Sequence, residues 1–374
     1  MNSLIKKEEI IDNRNYGIDL LRIISMFFVV TLHSLGHGGM LKSVIIDSIQ
    51  YKFIWFLEIL AYCAVDIFAL ISGYVSYNNK EKKVNYSNYI NLWLQVVFYG
   101  ILINLILNII NPSWVNATDF LATIFPVTKK LYWYFTAYTG LFVIIPIINK
   151  GIKETSDSNL KKLFIAIFLV FSFLEVLSPK FILNGGYSFI WITLLYILGA
   201  IIKKTDLGKN LKKHQIIMGI IFLCIITYIS KIYGVKISKF GILLTKDTYV
   251  SYISPTILGM AILYVIFFSK IKFNKLFTRV IKFAAPSTFA IYLLNDHYLV
   301  RKNLISNLFV EIANSSLIKI FITVISFSLL FVIGSILIDR VRIALFKKCK
   351  VKEISQKIIN ILNNILDNLV KILE

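Results

Sequence analysis

The chain has 374 residues, of which 57% are hydrophobic and only 16% are charged, and its formal net charge is +21. A soluble globular chain has about 45–50% apolar and about 25% charged residues, so this composition excludes an ordinary soluble protein. The Lys residues stand mainly in short stretches between apolar blocks, and no basic patch is interleaved with aromatic residues. The positive charge therefore predicts membrane topology and contact with membrane lipids, not nucleic-acid binding.

The apolar residues fall into blocks long enough to cross a bilayer core of about 30 Å. We therefore predict an all-α integral membrane protein, a bundle of about ten transmembrane helices. The ninth block is the least regular, because Asn295, Asp296 and His297 lie inside it. The predicted spans are 17–36, 53–77, 89–110, 132–148, 162–178, 187–202, 214–233, 249–268, 284–300 and 317–338.

The distribution of Lys and Arg predicts the orientation of these spans. If the connecting segments alternate between sides, 28 Lys and Arg residues fall on the side of both termini and 12 on the other. The side richer in these residues is normally cytoplasmic. We therefore predict a multi-pass cell-membrane protein with a cytoplasmic N-terminal segment at 1–16, a membrane domain at 17–340 and a cytoplasmic C-terminus.

Residues 341–374 form a separate segment with a different pattern. A basic stretch precedes apolar residues that recur at helical spacing between Ile354 and Leu373, with Asn and charged residues on the other face. This pattern predicts a C-terminal amphipathic helix that lies on the inner leaflet. A short coiled-coil contact through 351–374, which would let the chain self-associate, is the alternative.

The first span carries two ionisable residues, Arg22 and His33, which are costly in hydrocarbon and therefore candidates for function. They are eleven residues apart, so on a helix they differ by only about 20° in direction and lie roughly 16 Å apart along the axis. Both line one stripe, with Asp19 one turn before Arg22. Alternatively, Arg22 reaches the head groups and pairs with Asp19, and His33 is a satisfied core histidine.

Metal binding is not predicted for this chain. His37 follows His33 by four residues, a spacing that metal ligands can have, but Gly36, Gly38 and Gly39 are expected to end the helix there. No further cluster of His, Cys or carboxylate residues is evident in the sequence.

The second span holds Glu58 and Asp66, and a carboxylate at the depth of Asp66 must be paired, hydrated or protonated. A structural contact with Arg or Tyr is as good an interpretation as a functional one. The aromatic run that includes Tyr132 and Trp133 is typical of an outer-interface belt, and it could also form one wall of a sugar site. In the ninth span His297 beside Asp296 is either a proton-transfer pair or an outer-loop contact.

Several motifs together resemble the acyltransferase-3 family of polytopic membrane O-acyltransferases, which includes bacterial surface-glycan acetyltransferases. The resemblance covers roughly residues 15–340, and the ordered set is more specific than any one motif. The motifs are Gly17-Ile18-Asp19-Leu20-Leu21-Arg22 with His33 eleven residues after Arg22, Val65-Asp66-Ile67-Phe68, Ser72-Gly73-Tyr74, Tyr132-Trp133-Tyr134, Tyr196-Ile197-Leu198-Gly199 and Phe289-Ala290-Ile291-Tyr292-Leu293-Leu294.

The resemblance implies transfer of an acyl group, most often acetyl, from a cytoplasmic acyl-CoA to a hydroxyl of a surface polysaccharide or lipid-linked glycan precursor. It implies that His33 is the general base, and that Arg22 pairs with a donor phosphate or helps to hold the thioester oxyanion. Asp66 would orient a cation or a hydroxyl. The expected substrate-binding residues are Tyr132, Trp133, Tyr292, Asp296 and His297.

The chain departs from the family pattern at three places. Many members have a His shortly before the aromatic Trp, where this chain has Leu131 and a Tyr. Many end the late Tyr-Leu motif with His, where this chain has Asn295 and a His two residues later. Many have an Arg pair after the second span, where this chain has Lys80, Lys82 and Lys83. We expect Lys82 and Lys83 to contact the donor in place of that pair.

Three other functions fit a polytopic membrane chain. A transporter or flippase of a lipid-linked sugar would use the buried Arg, His and Asp as a substrate or proton path, but the internal repeats common in such folds are not visible. A polysaccharide polymerase or membrane glycosyltransferase generally depends on large outer loops, and the loops here are short. A purely structural subunit would leave Arg22 and Asp66 unexplained.

Overall fold

The computed structural model describes residues 14–77, 86–238 and 249–373, except for the side chains of 235–238. Within these ranges the chain is helical and contains no strand. The helices are α1 (Tyr16–Leu35), α2 (Met40–Ser43), α3 (Ile49–Ala61), α4 (Ala64–Ser76), α5 (Ser87–Ile110), α6 (Ala117–Ile124), α7 (Trp133–Glu154), α8 (Asp157–Phe168), α9 (Glu175–Leu177), α10 (Phe189–Lys204), α11 (Lys213–Ser238), α12 (Pro255–Ser269), α13 (Lys275–Ala284), α14 (Thr288–Asp296), α15 (Tyr298–Val300), α16 (Leu317–Lys348) and α17 (Val351–Leu373).

The predicted membrane-spanning character is confirmed, but the count of about ten spans is not. In the part of the chain that is described, six helical segments are long and apolar enough to cross a membrane. The predicted spans 162–178, 187–202, 249–268 and 284–300 correspond to helices that are shorter or interrupted. The six segments are Tyr16–Ser43, Ile49–Ser76, Ser87–Ile110, Trp133–Glu154, Lys213–Gly234 and Leu317–Lys348.

The ninth predicted span is broken close to its polar residues. Helix α14 has only 9 residues, and the backbone leaves the helical region at His297, where ψ is 126°. The side chain of His297 accepts a hydrogen bond from the backbone N–H of Leu299 and so caps the next helical turn. The break places Asn295 and Asp296 at a helix C-terminus inside the bundle.

The start of α1 is fixed by a polar cap and a close helix contact. Asn15 Oδ1 accepts from the backbone N–H groups of Gly17 and Ile18 at 3.0 and 3.2 Å, and its amide nitrogen donates to the carbonyl oxygen of Ser269 at the end of α12. A Cβ atom on Gly17 would lie 1.8 Å from the carbonyl oxygen of Phe268. The first motif therefore begins with glycine because the backbones of α1 and α12 touch there.

Helix α4 lies at the centre of the bundle and packs against α1, α10 and α12. Its contact with α10 is unusually close. A Cβ atom on Gly73 would lie 1.9 Å from the carbonyl oxygen of Tyr196, and one on Gly199 would lie 1.9 Å from that of Leu70. These glycines belong to two separate motifs, and the structure explains both by one reciprocal approach of the two backbones.

A buried polar network joins α5 to α16. The carboxylate of Asp339, which is fully buried, accepts from Tyr99 Oη at 2.8 Å and from Arg342 Nε and Nη2 at 2.8 and 2.9 Å. Each oxygen of the carboxylate thus has a charged donor. The network explains how an Asp is accommodated at 0% exposure in an apolar helix.

The predicted C-terminal helix is present as α17, which packs against α5 and α16. Ser355 Oγ donates to Asn91 Oδ1 at 3.0 Å and anchors the start of the helix. Apolar side chains further along it, such as Ile365 and Leu369, are exposed. Whether this surface binds lipid or another chain stays a prediction.

Candidate active site

His33 lines a cavity of about 270 Å³ at the C-terminal half of α1. We call this space the His33 cavity. Side chains from α1, α3, α4, α7 and α14 enclose it together with Arg301, Tyr187 and Tyr252, which lie on connecting segments. The cavity is therefore formed by parts of the chain that are far apart in sequence.

The His33 ring is held in a defined orientation by α14. Its Nδ1 lies 2.5 Å from Asn295 Oδ1, and Asn295 is fully buried. An amide oxygen can only accept a hydrogen bond, so Nδ1 carries the hydrogen in the neutral ring and Nε2 carries the lone pair. Nε2 lies 3.9 Å from Asp296 Oδ1. His33 thus has the tautomer that a general base needs, with a carboxylate nearby.

A chain of charged groups continues from Asp296 to the second histidine. Arg301 Nη1 lies 3.2 Å from Asp296 Oδ1 and 3.3 Å from His37 Nε2. The His33 and His37 rings meet edge to face, with centroids 4.9 Å apart. All four side chains line the His33 cavity, so an ionic pair and two imidazoles share one cavity.

The segment after α14 is docked on the end of α1. The backbone N–H of Asn307 donates to the carbonyl oxygen of His37 at 3.1 Å, and that of Phe309 donates to Gly38 at 2.9 Å. Gly39 has a φ of 89°, a left-handed conformation that glycine adopts without strain. The predicted glycine-rich end of the helix is confirmed, and its turn lets this segment carry Arg301 to the cavity.

An aromatic wall lines the other side of the His33 cavity. The ring of Tyr252 lies 5.0 Å from that of Tyr62 and 5.1 Å from that of Tyr187, and Tyr187 lies 4.7 Å from Trp133. These four rings form one continuous surface beside Glu58, whose Oε2 is buried and has no hydrogen-bond partner among the described residues. Flat apolar faces next to a hydrogen-bond acceptor suit a ligand that carries hydroxyl groups on an apolar ring.

Arg22 lines a second cavity of about 440 Å³, which we call the Arg22 cavity. Arg22 Nη1 lies 3.5 Å from Asp19 Oδ1, and Asp19 also contacts Arg14. One carboxylate therefore faces two guanidinium groups at this cavity. Ser72, Ser76, Asn88 and Tyr138 supply further polar atoms to its lining.

The sequence-predicted site residues fall into three groups. Trp133, Tyr292 and Asp296 line the cavity that His33 lines, and Arg22 lines the other one. Lys82 and Lys83 lie outside the described residues. The remaining three, Asp66, Tyr132 and His297, are buried outside both cavities.

Asp66, Tyr132 and His297 are fully buried and line neither cavity. Asp66 Oδ1 accepts from Trp191 Nε1 at 3.0 Å, so its observed partner is a core tryptophan. Tyr132 Oη donates to the carbonyl oxygen of Leu293 at 2.9 Å and so binds the backbone of α14. A catalytic or substrate-binding role for these three stays a prediction.

Sequence reasoning did not select several residues that the structure brings to the His33 cavity. Asn295 stood out only as a polar residue inside the ninth predicted span and as a departure from the family pattern, and no role was predicted for Arg301 or Tyr252. Glu58 had one, because a carboxylate inside an apolar block is costly. Among the described residues no group of three or more His, Cys, Asp or Glu side chains could hold a metal ion.

The fold and these cavities define a class: a helical membrane protein with an enclosed polar site between its helices. A family model described as an acyltransferase domain matches residues 15–340. The chain belongs to the acyltransferase-3 family and is a membrane acyltransferase. No curated protein and no solved structure matches the chain significantly.

Proposed function

We propose that this protein transfers an acyl group, in the first place acetyl, from cytoplasmic acyl-CoA to a hydroxyl of a surface polysaccharide or lipid-linked glycan precursor. The observation that carries the proposal is the placement of Arg22 and His33 on two adjoining cavities along one helix. The Arg22 cavity would take the donor. The His33 cavity, with its aromatic wall and Glu58, would take the acceptor sugar.

Each cavity has the chemistry that its substrate requires. A guanidinium binds phosphate oxygens in pairs, and the predicted topology puts Arg22 toward the cytoplasm, where acyl-CoA is available. Because Arg22 and His33 are roughly 16 Å apart along α1, phosphate binding suits Arg22 better than contact with an oxyanion at His33. Arg301 lines the same cavity as His33 and would help to stabilise that oxyanion.

The reaction follows from the tautomer of His33. The acceptor hydroxyl gives its proton to His33 Nε2 while its oxygen forms a bond to the thioester carbonyl carbon. The carbon–sulfur bond then breaks, and the CoA thiolate takes the proton from the imidazolium. Asp296, 3.9 Å from Nε2, stabilises the imidazolium, because a buried carboxylate attracts a nearby positive charge more strongly than one in water does.

The test is mass spectrometry of the host glycan in strains that carry the parental protein or His33→Ala. The parental strain should show a mass increment of one acetyl group on the repeat unit, and His33→Ala should abolish it at an equal protein level in the membrane. His214→Ala is the matched control, because His214 is exposed at the start of α11. A His33→Ala strain whose glycan is acylated to the same degree as that of the parental strain would refute the mechanism. Unchanged acylation with accumulated lipid-linked precursor in a strain lacking the protein would favour transport instead.

A further inference from the structure

The two cavities have a common wall made of two aromatic rings. Phe68 of α4 and Tyr134 in the first turn of α7 are lining residues of both the His33 cavity and the Arg22 cavity. Their ring centroids are 5.5 Å apart and their planes meet at 71°, an edge-to-face contact. At this distance the two rings are in contact, and they stand where the two cavities meet.

The two rings are supported differently. Tyr134 is only 6% exposed, and its ring also contacts Trp133 and Tyr292, at centroid distances of 5.6 and 6.1 Å. Phe68 is half-buried and faces both cavities. Rotation of the Phe68 side chain therefore disturbs less packing than movement of Tyr134, and it would open the wall.

We propose that the Phe68–Tyr134 contact is the passage through which the acyl group reaches His33, and that it restricts the enzyme to short acyl chains. This inference rests on the proposed function, because it requires the donor to lie at Arg22 and the acceptor at His33. A donor held at Arg22 must bring its thioester between these rings before His33 can act on the acceptor. With the thioester between the rings, each carbon beyond the carbonyl needs space beside Phe68 and Tyr134.

The preference for short chains follows from the limited space beside these two rings. Acetyl carries a single methyl group beyond its carbonyl carbon, whereas butyryl carries two further methylenes. An extra methylene that a pocket does not accommodate costs about 10-fold or more in relative rate. The parental enzyme should therefore favour acetyl-CoA over butyryl-CoA by about 100-fold, because both methylenes would meet the rings.

The experiment measures transfer of radiolabelled acyl groups in membrane vesicles that contain the endogenous glycan acceptor. Acetyl-, propionyl-, butyryl- and hexanoyl-CoA are compared for the parental protein, Phe68→Ala and Phe68→Trp. Phe68→Ala should raise the butyryl-to-acetyl ratio at least about 10-fold, and Phe68→Trp should lower the propionyl-to-acetyl ratio. If the Ala variant does not accumulate in the membrane, Phe68→Leu is used instead, because it enlarges the space beside Tyr134 by a smaller amount.

A second aromatic pair provides the matched control. Phe171 contacts Phe181 at a centroid distance of 4.9 Å and lines neither cavity, so Phe171→Ala should leave the chain-length preference unchanged. An active enzyme whose preference is the same in the parental protein and the Phe68 variants would overturn the inference and leave the proposed function standing. Parental vesicles that transfer no acyl group from any donor would overturn the proposed function, and the inference with it.

Discussion

Asn295 offers the most direct test of how the His33 site works. Replacing Asn295 with Leu keeps a side chain of similar size but removes the oxygen that lies 2.5 Å from His33 Nδ1. The buried Nδ1–H then has no acceptor, and nothing selects the tautomer that leaves Nε2 free. We expect a lower rate of acyl transfer with little change in the KM for acyl-CoA, because the proposed donor contacts are at the other end of α1.

The size of the effect follows from the cost of an unmade hydrogen bond. A buried group that loses its partner costs about 1–3 kcal/mol, which corresponds to roughly a 5-fold to 150-fold loss of rate if it falls on the transition state. The Asn295→Gln variant retains an amide on a longer side chain and should recover part of the loss if its oxygen reaches Nδ1.

A double-mutant cycle separates this role from simple destabilisation. If Asn295 acts only through His33, then Asn295→Leu should have no further effect on the residual rate of a His33→Ala enzyme. The assay is transfer of labelled acetyl from acetyl-CoA to endogenous acceptor in vesicles with matched protein levels. Losses that multiply in the double variant, or an Asn295→Leu enzyme as fast as the parent, would refute the reasoning.

Three further predictions concern the donor site and the packing of the bundle. Arg22→Lys keeps the charge but loses the planar fork, so the KM for acyl-CoA should rise about 10-fold or more, and an unchanged KM would contradict donor binding. Gly199→Ala should lower the melting temperature in detergent by overpacking worth about 1–3 kcal/mol, whereas Gly334→Ala, where nothing lies within 4 Å of an added Cβ, should not. Asp339→Ala leaves Arg342 without its buried carboxylate and should destabilise by about 3 kcal/mol; an equal melting temperature would contradict this.

The sequence was most informative where the physical rule is local. Blocks of apolar residues predicted membrane helices, and helical periodicity alone placed Arg22 and His33 on one stripe. The glycines after His33 predicted the end of α1, and the structure ends it at Leu35. The family motifs were also visible, but the reason for Gly73 and Gly199 was not, because their mutual approach joins two helices that are distant in sequence.

Span counting was less accurate because hydropathy does not measure continuity. The block at 284–300 is apolar enough to suggest a span, yet the structure contains a short α14 that ends before His297. At that break the His297 side chain caps the next helical turn, and a hydropathy pattern cannot distinguish such a cap from an ordinary helical residue.

The sequence by itself determined that Arg22 and His33 stand on one side of α1 and how far apart they are, since their separation and common direction depend only on helix geometry. Tertiary structure alone decided what surrounds them. Asn295 is 262 positions away from His33 in sequence, and it reaches the ring because α14 packs against α1. The same packing sets Phe68 against Tyr134 between the two cavities. Which residues become neighbours depends on the way in which several helices pack against one another, and no local pattern of residues encodes that arrangement.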